Sequence, residues 1–128
     1  VVELLVSKGA EVDSRDNYDS TSMHYAVLHG HTAIAKFLLK NGAEANAKNK
    51  TGLTPLHFAS RAGYVEVIET MLMSCPASKV SAMVNTVDNT AWSALHYAAT
   101  AGMDAVVDFL LKYGANAQLK DGDGWTAL

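Results

Sequence analysis

Of everything in this chain, its self-similarity most narrows how it can fold. Displaced by 33 residues, His24 falls on His57, Ala26 on Ala59, Gly30 on Gly63 and Leu39 on Leu72. A step of 39 then carries His57 to His96, Gly63 to Gly102 and Leu72 to Leu111. A last step of 33 lays Ala91-Trp92-Ser93-Ala94-Leu95 on Gly124-Trp125-Thr126-Ala127-Leu128. Periods of about 20–50 residues mark stacked arrays, in which one small unit cannot bury its apolar face without a neighbour. The registers divide the 128 residues into the tail of one repeat (1–15), three complete repeats (16–48, 49–87 and 88–120) and the head of another (121–128). The repeat 49–87 carries a six-residue insertion.

Each repeat reads as two short helices. In the middle one Thr54 is a good N-cap, and Pro55 suits the first helical position, where its missing N–H is harmless. Leu56, Ala59 and Ser60 follow on one face, and Gly63 breaks the helix. Val67, Ile68, Met71 and Leu72 give a second helix a wide apolar stripe, matched by Ile34, Ala35, Leu38 and Leu39 and by Val106, Val107, Leu110 and Leu111. Gly42 and Gly114 are stop signals for the second helix. Helices shorter than about 12–15 residues are marginal alone, so stability has to come from the interfaces between repeats.

Gly52-Leu53-Thr54-Pro55-Leu56-His57-Phe58-Ala59, together with Leu38-Leu39-Lys40-Asn41-Gly42-Ala43-Glu44-Ala45-Asn46-Ala47, resembles the ankyrin repeat. The resemblance spans the whole chain. It implies an all-α L-shaped solenoid, a single domain over 1–128, in which helix pairs stack side by side and the joining segments project as β-hairpin-like fingers. It also implies a protein that binds other proteins through finger tips and the exposed side of the first helices. Some positions depart from the pattern. Asp19 and Ala91 stand where the family carries the finger glycine, Ser22 and Ala94 replace the proline, and Cys75 replaces the glycine after the second helix. If the finger position needs φ > 0, aspartate tolerates it and alanine is strained by about 1 kcal/mol.

The recurring histidines raise three possibilities: a metal site, a catalytic array or a structural joint. Helices pack about 8–10 Å apart, whereas zinc needs nitrogens at about 2.0–2.1 Å. Rings in register along a stack therefore do not converge on one ion. A hydroxyl side chain stands three residues before each of them, at Thr21, Thr54 and Ser93, so each ring is expected to serve its own helix cap. The resemblance implies a structural role for His31 as well, while His29 is expected to face the groove. No phosphate loop, H-E-x-x-H or G-x-S-x-G occurs, and Cys75 cannot be joined to an oriented triad. The expectation is no enzyme, no cofactor and no metal.

A net charge of −3, with no two adjacent Lys or Arg residues, argues against nucleic acid as partner. Binding that falls steeply with salt would revive that class. No apolar run approaches the roughly 20 residues of a membrane helix. One cysteine, Cys75, excludes an internal disulfide and favours an intracellular, cytoplasmic setting, with the nucleus left open. The chain begins at Val1 and reads as a monomeric domain within something longer.

Stacking aligns variable positions into rows. The residue before each cap is Ser20, Leu53, Trp92 or Trp125. The three apolar ones form either a contact ridge, since hot spots favour Trp, Tyr and Arg, or indoles that pack flat on the neighbouring finger and only stabilise the stack. A second row ends the first helices, with Leu28, His29 and Arg61; Tyr18 and Lys50 flank the finger tips, and Tyr113 ends a second helix. Arg61 can hold a carboxylate of a peptide or simply be a solvated surface cation. In the insertion, Pro76 is expected to end the helix and Ala77–Val84 to add a turn beside the groove. Leu38, Glu44, Ala45 and Asn46 resemble the pattern used by an intracellular asparaginyl hydroxylase, which makes Asn46 a candidate modification site. The leading functional expectation is a non-enzymatic protein-interaction module. The alternative is a targeting or scaffolding segment of a larger enzyme, channel or pathogen effector.

Overall fold

The computed structural model describes residues 16–127; the leading partial repeat 1–15 and Leu128 lie outside the described residues. Seven helices occur among them: α1 (Ser22–Leu28), α2 (Thr32–Lys40), α3 (Pro55–Ala62), α4 (Val65–Met73), α5 (Ala77–Val84), α6 (Ala94–Thr100) and α7 (Asp104–Lys112). α1, α3 and α6 form one layer, each packed on the next, and α2, α4 and α7 form the other. Extended structure among the described residues is limited to isolated bridges, Val87 with Ser93 and Lys120 with Thr126.

The first helices start where Thr21, Thr54 and Ser93 accept from the N–H of His24, His57 and His96, and each histidine side chain accepts in return from its cap residue's own N–H. These reciprocal boxes satisfy donors that every helix start leaves open. Gly63 ends α3 in the left-handed region at φ 81°. The helices run seven to nine residues, too short to stand alone. They are held by one continuous core that includes Met23, Leu38, Leu56, Ile68, Met71, Leu95 and Leu110, all essentially out of water.

Between repeats the chain makes a finger. Asp16, Asn49, Asp88 and Asp121 each begin one, and the Oδ1 of each accepts from the N–H two residues on and again four residues on. The turn needs a left-handed residue at its third step: Gly52 takes φ 80° and Gly124 φ 84°, while Asp19 and Ala91 take φ 56° and 63° without being glycine. The expected strain at Ala91 is therefore present. Adjacent fingers touch through single backbone bonds, Lys50 N–H to Tyr18 O, Asn89 N–H to Thr51 O and Gly122 N–H to Thr90 O.

The insertion is more than an added turn. α4 ends at Met73 with Ser74 as its C-cap, Cys75 stays outside the left-handed region, and Pro76 is the N-cap of the eight-residue helix α5. The side chain of Asn85 at its end donates to Gly114 O and accepts from the N–H of Asn116. Thr86, just beyond, receives the Asn46 side chain. α5 thus reaches toward the turns that follow α2 and α7, in the second-helix layer, rather than toward Arg61 and the ends of the first helices.

Candidate partner-binding face

The histidines form a ladder of joints. In each ring Nδ1 accepts from the cap backbone N–H, at 3.0 Å for His24, 2.9 Å for His57 and 3.1 Å for His96. With Nδ1 an acceptor, the proton sits on Nε2 and points into the next segment of chain. There His24 donates to Leu53 O at 2.9 Å and His96 to Trp125 O at 3.1 Å, both carbonyls being the residue before a cap. His57 departs from the register. It donates to Thr86 O at 3.0 Å, whereas the corresponding carbonyl is that of Trp92. Burial holds the His57 imidazole below its ordinary range, and the Thr86 bond opposes that only in part. Among the described residues no group of three or more His, Cys, Asp or Glu side chains is placed to share a metal ion.

The residue after each histidine is aromatic, and the rings cross from repeat to repeat. Phe58 meets His24 edge-on at 5.9 Å and Tyr97 meets His57 at 5.5 Å. Arg61, exposed at the end of α3, lies over the Phe58 ring at 5.7 Å. Such an arginine is oriented by the aromatic face while its donors stay available. Tyr25 and Tyr97 each donate their hydroxyl to the aspartate that opens their own finger, Asp16 and Asp88. Burial and the Asp88 bond push the Tyr97 phenol well up. At Asp88 burial acts upward, but the bonds from Tyr97, Thr90 and Trp92 outweigh it and hold the carboxyl low. The middle repeat has Asn49 and Phe58 at these places, so both partners of that bond are missing together. The finger-opening Asx residues are site-building positions that the sequence reading missed. Their recurrence at the same spacing as the histidines was the available signal.

The candidate ridge is uneven. Trp125 is 72% exposed. Leu53 and Trp92 are half-buried, and the indole of Trp92 packs on Tyr97 at 5.0 Å and His96 at 5.7 Å within its own repeat. Trp92 braces α6, and its indole also bonds the Asp121 carboxylate of the neighbouring finger. Tyr18 is 69% exposed at the first finger, and Lys50 is exposed on the next one, bonded to it through the backbone. Leu28 and His29 are exposed at the end of α1, His29 being tilted against His31 with ring centres 6.1 Å apart. Tyr113 is set in the other layer, at the C-cap of α7 and stacked on Phe109 at 4.7 Å. Asn46 is half-buried; its Nδ2 donates to Thr86 Oγ1 at 3.2 Å, and its Oδ1 is shielded from water without a partner. An acceptor left so costs about 1–3 kcal/mol.

Stacked helix pairs, buried capping boxes and pinned fingers define a repeat scaffold whose faces display side chains on a rigid frame. One family model, described as ankyrin repeats in three copies, matches residues 1–83, and a second, ankyrin repeats in many copies, matches residues 84–128. The chain belongs to the ankyrin repeat family. Ankyrin repeats are typically protein–protein interaction modules and usually non-catalytic, and neither matching model is that of an enzyme family. No curated protein matches the sequence. Among the described residues no helix is long and apolar enough to cross a membrane.

Proposed function

We propose that this domain is a non-enzymatic interaction module that binds a protein or peptide along the finger tips and the exposed ends of its first helices. The reading is carried by one observation: a row of aromatic residues in register, Tyr25, Phe58 and Tyr97, runs across three repeats, with the exposed Arg61 guanidinium held over its middle member. In this reading Arg61 meets a carboxylate on an otherwise apolar segment. Tyr18, Lys50 and Trp125 reach the partner from the tips, and Leu28 and His29 from the end of α1. Leu53 and Trp92 supply a half-buried floor, and Tyr113 is the outlying member. No cofactor enters, the partner is not nucleic acid, and the setting is intracellular. Hydroxylation of Asn46 is a separate proposal, which mass spectrometry reads as a gain of one oxygen on that residue; the half-buried side chain makes it depend on local opening.

The experiment is affinity capture followed by calorimetry on the captured partner. Trp125→Ala and Arg61→Ala are each expected to weaken binding about tenfold or more, as central aromatic and arginine contacts do. Both residues are exposed, so the variants keep the fold. Retention of every partner by both variants would remove this face from consideration.

A further inference from the structure

Beside the insertion lies a cleft, and its walls say what it takes. Asn46 and Asn85 hold the same register, each three residues before the residue that opens the next finger. Asn85 clamps the turn after α7 with both ends of its carboxamide: Nδ2 donates to Gly114 O at 3.0 Å and Oδ1 accepts from the Asn116 N–H at 2.7 Å. The groups in the same register before Asn46 are the carbonyl of Cys75 and the N–H of Ala77. Pro76 and the start of α5 carry that stretch of chain elsewhere, and Asn46 reaches only the Thr86 hydroxyl, with its oxygen unpartnered. A cleft of about 510 Å³ lies there, with Ala43, Ala45 and Asn46 on one side and Cys75, Lys79 and Ala82 on the other.

We propose that this cleft is a second binding site, which takes a polypeptide turn of the kind that Asn85 clamps within the chain itself. The chemistry is that of one amide reading another. A turn offers a carbonyl and, two residues on, an N–H, and a carboxamide answers both. The Thr86 hydroxyl spends its proton on Ala82 O and can only accept from Asn46, so Nδ2 faces it and Oδ1 is the atom left to accept from a peptide N–H. α5 adds to the fit. Its N-cap, Pro76, makes no side-chain cap bond, and Lys79 stands in its first turn, so the wall facing the incoming segment favours the carbonyl end of a turn. The Asn46 oxygen is closed off from water, so the segment reaches it only by parting α5 from the turn at residues 43–46. Cys75 lines the same cleft and, as the chain's one thiol, reports that parting.

The probe is an acetylated, amidated heptapeptide with the sequence of Leu111 to Ala117, the turn that Asn85 already holds. Titrated into the 128-residue chain by amide NMR, it is expected to give saturable shifts at Asn46, Ala77 and Ala82 in the millimolar range and to change the rate at which Cys75 is alkylated. Asn46→Ala is expected to weaken it about fivefold, the worth of one hydrogen bond. Ala82→Trp, which fills the cleft from an exposed position of α5, should abolish binding, while Arg61→Ala should leave it unchanged and so separates this site from the groove. Shifts that do not saturate, shifts that fall elsewhere, or equal binding by Asn46→Ala and Ala82→Trp would overturn the proposal.

Discussion

The joint on either side of repeat 49–87 keeps one clamp in register and loses another, and the two losses differ. Toward the preceding repeat the histidine clamp is regular, His24 on Leu53 O, and the asparagine clamp is broken, with Asn46 half engaged. Toward the following repeat the asparagine clamp is regular, Asn85 on Gly114 and Asn116, and the histidine clamp is displaced, with His57 on Thr86 O. Six extra residues thus disturb one connection on each side without unstacking either. The lesson concerns redundancy. Each joint is held by a ring, an amide, a backbone bond between fingers and an apolar interface, so an insertion that damages one of them leaves the rest to fix the register. Loop lengthening itself is mild, about 0.6 kcal/mol per doubling.

The finger tips offer the sharpest way to break that redundancy. A Cβ on Gly52, at φ 80°, would lie 2.6 Å from Asn89 Oδ1 and 2.8 Å from Asn89 N in the next finger. Gly52→Ala is expected to destabilise by about 2–4 kcal/mol, adding backbone strain to a clash with main chain. A urea denaturation midpoint unchanged from that of the parent would show that the fingers do not couple the repeats. Next in size are the two asparagines. Asn85→Ala gives up bonds to three backbone groups, Ser81 O, Gly114 O and the Asn116 N–H, and should cost about 1–3 kcal/mol; Asn46→Ala gives up one bond and removes an orphaned acceptor, and should cost less than about 1 kcal/mol. Equal losses would mean that the insertion left both clamps equivalent. Smaller still is Ala91→Gly, at φ 63°, which should raise stability by up to about 1 kcal/mol by relieving a left-handed alanine.

These residues also show where the sequence was readable. The paired helices, the cap role of His24, His57 and His96, and the left-handed turns at Asp19 and Ala91 could all be read, because each position has equivalents in other repeats that vote on its role. The insertion has no equivalent. A stretch of 74–85 with one proline and several small residues does not announce a complete helix, since α5 gains its place from Asn85 and Thr86 gripping neighbouring turns. Exposure was equally hidden. Leu53, Trp92 and Trp125 share a register, yet Trp92 is sheltered by Tyr97 and His96 while Trp125 stands 72% exposed, a difference set by neighbours rather than by spacing. The displaced acceptor of His57 belongs with these, because which carbonyl meets a ring depends on where the inserted helix returns the chain.

The finest cut is a single proton on His57. Its Nδ1 accepts from the Thr54 N–H, so charging the ring places a second proton where a backbone donor already points. Burial, the leading cause, holds its native pKa below the ordinary value of about 6.5. The unfolded chain therefore takes up the proton first as pH falls. The stability this ring contributes is complete above the ordinary value and is lost as pH drops below it, until the native ring titrates as well. The carboxylates of Asp16, Asp88 and Asp121, whose native pKa values are lowered, act in a separate and more acidic window, where their contribution is lost as pH falls through the carboxylate range. Urea midpoints for the parent should thus fall between about pH 7.5 and pH 5, and His57→Gln, which keeps a donor for Thr86 O but does not titrate, should flatten that fall. A slope unchanged by the substitution would place the acid sensitivity in other groups.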